Sequence, residues 1–409
     1  MSSSGDQMIL AVSGRPAFQG GAGEFVGLVQ QQIAAEKLPM KLVCARRAHP
    51  IMGSVRSGRV ARAMAEPLLR AWDRRRLHRA LWRFGAQERP LLVFHPQSLG
   101  LGQLLAVACA RSRPIWIFVL DASFFCRRSY NCLPGEWSPC FRCLGTNGEA
   151  AEQHGCVSPF PRGHGAKEQA EFRRLAQTGK FQFLVQTEGH ARLLREHLGD
   201  GIRAIKIGLE VPGIQGTHGG ESADGFDLVY HAAPVWEKGV GDLVRLARQL
   251  PEFRILAPFA PGAAGADGRV ALGDEAWPAN LVARPMTWAS GLRSEVEKAK
   301  GVLCPSLWSA PVEGAVLKSL AHNGVVALFR ERGQFGQEIP AEAVVTLAAG
   351  DAARSAQVLR AVLQDKRERE RLRAAAAHYM ATFRATNARV AERICRTLQQ
   401  ATAAGNAFV

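Results

Sequence analysis

A chain of 409 residues is long enough for two domains, each with a core of its own. Its hydrophobic share of 47% and charged share of 22% are those of a soluble globular protein, and no apolar run approaches the roughly 20 residues that a spanning helix needs. The formal charge of +16 is the unusual value, and it favours an acidic partner such as nucleic acid, anionic lipid or a phosphorylated substrate. Met1 to Gln7 is polar, with no basic segment followed by an apolar core, so no secretory leader is expected and a cytoplasmic location is. There the nine Cys should be reduced, and clusters among them read as metal binding or as incidental rather than as disulfides.

In chain order, Met8 to Ser13 reads as a first strand, and Gly20, Gly21 and Gly23 as a loop before a helix from Glu24 to Ala35. Such a turn allows either close approach of backbone to a phosphate or acceptor, or simple flexibility. Met40 to Ala45 is a second strand. Arg56 to Arg89 then sets ten Arg against three acids, with Trp72 and Trp82 among Val60, Met64, Leu68, Leu69, Leu77, Leu81 and Phe84 at near-helical spacing, and with Pro67 expected to start or break the helix. An anionic membrane surface or a lipid-linked acceptor fits this pattern, each well-placed Arg contributing about 1 kcal/mol. So does a solvated basic face whose apolar stripe lies on the core. No recognition motif accompanies the charge, so nucleic acid is not the expected partner. Leu91 to His95 and Ile115 to Asp121 are further strands ending in polar residues, which makes His95 and Asp121 candidate catalytic groups or satisfied structural ones.

A cysteine-rich insertion follows at about 122–172, with Cys126, Cys132, Cys140, Cys143 and Cys156. Cys140 and Cys143 form a CxxC that can hold one tetrahedral zinc, completed by Cys132 and Cys156, with Cys126 or His154 as substitutes. Ser129 to Gly148 is rich in Pro, Gly, Asn and charge and has too few apolar residues for its own core, so a structural metal, zinc ahead of an iron–sulfur cluster, would supply a cross-link. The alternative is a reduced loop.

Phe181 to Gln186 is the next strand, Gly189 to Leu198 a helix, and Ala204 to Ile207 a strand leading to Gly208, Leu209 and Glu210, where the first domain (1–210) should end. Val211 to Gly225, rich in Gly and Ser, reads as the linker. The second domain (226–382) opens with a strand at Asp227 to His231, the stretch AAPVWEKG ending at Gly239, and a helix from Val240 to Leu250, followed by strands at Arg254 to Ala257 and Leu281 to Ala283. Gly301 to Phe329 is a βαβ unit. Gly301 to Cys304 is its first strand, Pro305 and Ser306 end that strand, and Glu313 to His322 is a helix with Val316, Leu317, Leu320 and Ala321 on one face. Asn323 and Gly324 stop the helix, and Val325 to Phe329 is the second strand. The loop at the strand's carboxyl end opens a helix whose N–H groups suit a phosphate, although an ordinary turn with Glu313 as a dipole-favoured acid would look the same. Val344 to Leu347 is a last strand, and Asp351 to Lys366 and Arg367 to Gln400 are helical.

PSLW, an acid and Gly at a helix start, a small-residue helix and then G-V-V resemble the donor-binding motif of family 4, GT-B, nucleotide-sugar-dependent glycosyltransferases. The resemblance implies an α/β chain of two doubly wound, Rossmann-like domains facing a cleft, with the last helix, within 383–409, crossing back to the first domain. It also implies transfer of a sugar from a nucleotide-diphosphate donor to a glycan or lipid-linked acceptor in surface polysaccharide biosynthesis, with retention, with no metal required for catalysis, and peripherally on the inner face of the cell membrane. That family's motif carries two Glu eight residues apart; here those positions hold Pro311 and Ser319, and the acid is Glu313. Lys238 and Gly239 match the basic residue and Gly that neutralise the donor diphosphate, but Ala233 stands where an Arg is expected, and Leu120 where a His often precedes the Asp. The implied site is Glu313 with Asp121 and His95 for catalysis, and Gly20, Gly21, Lys238, Gly239, Ser306, Gly314, Lys318 and Ser319 for the donor. A pseudo-transferase that binds glycan or scaffolds an assembly, and an epimerase-like enzyme of the same architecture, are the alternatives.

Overall fold

In the computed structural model of the chain, the described residues are 7–18, 20–46, 60–87, 89–146, 148–160, 164–216, 220–262 and 277–405. Arg56, Arg59 and Glu88 of the basic stretch and residues 217–219 of the linker lie outside them, as do the side chains of Val60 and Met64. The chain forms two compact units: Met1–Ser129 with Arg142–Pro212 and Asn387–Val409, and Tyr130–Phe141 with Gly213–Thr386. No helix among the described residues is long and apolar enough to cross a membrane.

The first unit is built on six parallel strands, β1 (Ile9–Pro16), β2 (Met40–Ala45), β3 (Leu91–Phe94), β4 (Ile115–Phe118), β5 (Phe181–Val185) and β6 (Ala204–Lys206), in the order β2-β1-β3-β4-β5-β6. LLVF and IWIF, the whole of β3 and β4, are buried. Such unbroken apolar runs belong to parallel strands covered by helices on both faces. The strand order reverses between β1 and β3, so the crevice at their carboxyl ends is where a doubly wound sheet takes a ligand.

Three local expectations are corrected in this unit. The first helix starts at Gly20, so Gly20 and Gly21 form its opening turn rather than a loop. The helix Val60–Gly85 runs through Pro67 without a break, because the inward residues Leu77, Leu81 and Phe84 hold its later turns on the core. The tail is interrupted at Arg389, which takes a left-handed φ of 52° between the helices Lys366–Asn387 and Val390–Gly405. At that break Glu210 accepts from Val390 N–H at 3.2 Å and Asn387 from Leu209 N–H at 3.1 Å, while Gln32 accepts from Ala391 N–H at 2.9 Å. Val390, Ile394 and Leu398 enter the first unit's core beside Ile9 and Phe25, the return of the last helix that the resemblance implies.

The second unit has strands β7 (Leu228–Tyr230), β8 (Ile255–Ala257), β9 (Leu281–Ala283), β10 (Gly301–Leu303), β11 (Val326–Leu328) and β12 (Val345–Thr346), ordered β12-β11-β10-β7-β8-β9 and all parallel. β10, the helix Gly314–His322 and β11 form the expected βαβ unit. Here the order reverses between β7 and β10. The middle of the cysteine-rich insertion, Tyr130–Phe141, belongs to this unit and not to the first, because Cys132 is buried in the second unit's core and Trp137 packs against it.

Gly239 takes a φ of 73°, and a Cβ there would overlap the carbonyl oxygen of Pro305. Both the left-handed backbone and the close approach require glycine. Gly239→Ala is expected to lower unfolding stability by about 2–4 kcal/mol in urea titration; a loss below about 0.5 kcal/mol, the range of ordinary surface changes, would remove the close approach from the account.

The first unit buries His164, His190 and His197, and burial pushes each down to about 4. They are neutral in the fold, whereas an unfolded histidine takes up its proton near pH 6.5. Stability is therefore complete above about pH 6.5 and is lost as pH falls toward about 4, by up to about 3 kcal/mol per histidine. His190→Leu should flatten the fall of the thermal midpoint across this window; an unchanged slope would mean that His190 is not among the groups responsible.

Candidate functional site

The carboxyl ends of β7 and β10 bring the second unit's candidate residues together. Tyr230, the last residue of β7, donates its hydroxyl to the carbonyls of Ala233 (3.0 Å) and Lys238 (2.8 Å), so one buried phenol fixes both ends of the following loop. Leu307 N–H donates to Glu237 O at 3.0 Å, tying that loop to the one after β10. Lys238 is thereby carried to Glu313, and the two form an ion pair with little side-chain exposure, 18% and 9%. Ser306 donates its hydroxyl to the same Glu313 oxygen at 2.5 Å, and Gln334 Nε2 holds Ser306 by its carbonyl at 2.7 Å.

Glu313 stands at the N-cap position of Gly314–His322, yet its side chain makes no capping bond and turns to Lys238 and Ser306 instead. The opening N–H groups of that nine-residue helix are left to other acceptors. Burial opposes the charge on Lys238, but the Glu313 carboxylate outweighs it and holds the ammonium above the ordinary lysine range. A fixed cation, a fixed acid, a hydroxyl and a helix N-terminus therefore converge at the switch point, with Gly239 beneath them. They can receive a diphosphate and stabilise an adjacent positive charge.

The segment Tyr130–Phe141, from the insertion expected to lie over the acceptor side, packs beside these donor-side candidates in the second unit. Asn131 is fully buried; its carbonyl accepts from Ser309 N–H at 2.9 Å and its amide donates to Ser309 Oγ and Cys140 O, each at 3.1 Å. Tyr130 packs on Trp308 with ring centroids 4.4 Å apart, and Lys238 Nζ lies 4.9 Å from the Trp308 centroid and 5.9 Å from that of Tyr130. Trp236 Nε1 donates to Glu136 O at 3.0 Å, Trp137 packs on Trp236 at 4.7 Å, and Arg245 stacks 3.2 Å from the Trp137 centroid. A polar segment placed just before a known βα pattern gives no periodic signal, but its Tyr, Asn and Trp were the available clue.

These contacts hold the segment for which a metal cross-link was expected. The segment is anchored by the second unit's core and by Asn131, with Cys132 buried among hydrophobic residues. Cys132 and Cys140 belong to the second unit, Cys126, Cys143, Cys156 and His154 to the first. Among the described residues no three His, Cys, Asp or Glu side chains assemble as a metal-ligand group.

Ser319 and Lys318 part company on the helix. Ser319 is fully buried and bonds His231 Nδ1 at 2.8 Å and Cys304 Sγ at 3.6 Å, which makes it an internal group. Burial and then the nearby Lys318 charge push His231 down to about 3, so the ring is neutral. His231 stacks on Trp288 at 4.9 Å and 7°, and Lys318 Nζ lies 5.7 Å from the Trp288 centroid.

In the first unit, His95 follows β3 with a left-handed φ of 54°, a strained conformation for a non-glycine residue. Its Nε2 lies 3.1 Å from Asp121 Oδ2 and its Nδ1 2.8 Å from Ser98 Oγ. Burial works against the Asp121 charge, but His95 and two hydrogen bonds from Ser123 hold the carboxyl down to about 2. His95, Asp121 and Phe118 line a small pocket beside the β1/β3 switch point. Gly14 touches the same turn, since a Cβ there would meet Ser98 Cβ at 2.7 Å. Gly20 and Gly21, in the opening turn of the helix after β1, have open space where a side chain would be.

No family model matches this sequence, and no curated protein matches it. Solved structures do. Sucrose-phosphate synthase from Thermosynechococcus elongatus superposes with a TM-score of 0.65 at 13% identity, covering 97% of this chain and 100% of that one. The UDP-forming α,α-trehalose-phosphate synthase from Burkholderia vietnamiensis gives 0.56 at 13% identity, over 97% and 99%. Anabaena HepE in complex with UDP and glucose gives 0.53 at 12% identity, over 98% and 100%. At these identities the likeness establishes architecture, and together with two doubly wound parallel sheets and a returning C-terminal helix it establishes that the chain has the GT-B fold.

Proposed function

We propose that this protein is a glycosyltransferase that takes a nucleotide-diphosphate sugar at the β7/β10 switch point of the second unit. One observation carries the reading: Lys238, Glu313 and Ser306 are bonded together at the N-terminus of Gly314–His322. Lys238 and the helix N–H groups neutralise the leaving diphosphate, and Glu313 faces the oxocarbenium-like sugar, which needs one carboxylate nearby. UDP is the first nucleotide to test, since HepE is described in complex with UDP and with UDP-glucose.

The acceptor is a glycan or lipid-linked hydroxyl, as in surface polysaccharide assembly, and transfer proceeds with retention and without a catalytic metal. His95 is assigned to the acceptor's proton. Both of its ring nitrogens are occupied, so the acceptor hydroxyl would replace Ser98 at Nδ1 while Asp121 holds Nε2.

A thermal-shift series with UDP, GDP, ADP and CMP tests the donor site, because a ligand that binds only the folded state raises the midpoint. UDP should raise that of the wild type. Glu313→Gln should keep this shift yet lower transfer from UDP-sugar by about 10²–10³-fold. If no nucleotide moves the midpoint, the donor assignment fails and a glycan-binding scaffold, with Ser319 in place of the second acid, takes its place.

The ion pair supplies a second check independent of substrate. Lys238→Met strands the Glu313 carboxylate, and Glu313→Gln strands the ammonium, so the two changes should be less than additive in urea unfolding, with a coupling of about 1–3 kcal/mol. Strict additivity would mean that the pair does not form in solution.

A further inference from the structure

The helix Val60–Gly85 carries a surface that the donor site does not use. At 100° per residue, Leu68, Trp72, Arg75, Arg79, Trp82 and Arg83 fall within a stripe about 100° wide. Leu68 is 75% exposed, Trp72 48% and Trp82 43%, with Leu69 beside them at 51%. These four are half of the eight large hydrophobic side chains that stand exposed among the described residues.

The opposite side of the helix explains the polarity of this one. Leu77, Leu81 and Phe84 face the core, and the two acids of the described helix, Glu66 and Asp73, are buried on that side too. Asp73 accepts from Arg46 N–H at 2.8 Å and from Arg76 Nε at 2.9 Å. The outward stripe therefore holds arginine, tryptophan and leucine with no carboxylate. Arg46 adds a further cation, stacked 4.3 Å over the Trp72 ring.

We infer that this face lies on an anionic lipid bilayer, with Leu68, Leu69 and Trp72 entering the headgroup–acyl boundary and Arg75, Arg79 and Arg83 on lipid phosphates. Charge complementarity selects a polyanion, and the apolar share selects among polyanions. A nucleic-acid backbone would use the arginines but leave an exposed Leu68 in water, whereas the membrane boundary takes both kinds of side chain. Tryptophan is suited to that boundary because its ring is apolar and its N–H is polar.

Sedimentation of the full chain with vesicles tests this. Binding is expected to vesicles of phosphatidylcholine containing phosphatidylglycerol, to weaken with salt, and to be absent with phosphatidylcholine alone. Arg75→Gln with Arg79→Gln should lower the partition by about 25-fold, at about fivefold per arginine. Leu68→Ser with Trp72→Ser should lower it as well, with the thermal midpoint unchanged since both sites are on the surface. Brominated lipid should quench tryptophan fluorescence in the wild type, and less in Trp72→Phe with Trp82→Phe. No binding to the anionic vesicles, binding indifferent to lipid charge, or unaltered quenching in the Trp pair would each overturn the inference. So would binding of duplex DNA with the same Arg dependence and no dependence on Leu68 and Trp72, which would assign the face to nucleic acid.

Discussion

The second unit depends on a constraint of charge. An ammonium and a carboxylate that are both largely withdrawn from water must meet each other, because either alone would carry a penalty of several kcal/mol. Lys238 comes from the loop after β7 and Glu313 from the loop after β10, so satisfying the pair fixes the distance between those loops. Everything near them follows from that closeness. Gly239 cannot have a side chain because Pro305 occupies its place. Tyr230 and Gln334 hold the two loops from below through backbone carbonyls. The polar groups that would meet a ligand are thus oriented by folding itself, before any ligand arrives, which is the condition under which electrostatic stabilisation is most effective.

The same constraint explains why Tyr130–Phe141 sits where it does. Lys238 lies against the rings of Trp308 and Tyr130, and Trp308 needs a partner on its face. The segment supplies that partner, and its own shortage of apolar residues is met by contributing Cys132 and Trp137 to a core that already exists. Asn131 cross-links the segment to the loop after β10 through two hydrogen bonds with Ser309, and its third, to Cys140 O, ties the segment to itself.

What was legible in the sequence follows from the range of the interactions. Parallel strands buried on both faces announce themselves as short apolar runs, so LLVF, IWIF and GVLC could be read directly, as could the βαβ unit with its Asn323–Gly324 stop. The Lys238–Gly239 pair and Glu313 were legible because each ends or opens a local element. The position of Tyr130–Phe141 was not, because its contacts with Trp236 and Ser309 join residues far apart in the chain and leave no periodic trace. Helix ends were misplaced where a side chain from elsewhere decided them. Asn387 and Glu210 set the break before Val390, and no local pattern in the Ala-rich tail points to it.

The exchange at position 319 has a consequence for ligand charge. The resemblance puts an acid there, on the donor's ribose; this chain has a serine, turned inward onto a neutral His231. A carboxylate in its place would be buried beside that imidazole and would have to draw a proton onto it, against the burial that holds the ring neutral. With serine, the helix brings Lys318 but no second acid to this side of the unit, and Lys318 acts on His231 closely enough to help keep its proton off. Ala233 removes one cation from the expected diphosphate contacts and Ser319 removes one anion from the ribose contact. The local charge balance toward a nucleoside diphosphate is therefore close to that of the full motif, while the hydrogen bond that would grip the ribose is gone. On the proposed reading, recognition then rests on the diphosphate and on what meets the exposed Tyr130 ring, Trp308 being buried.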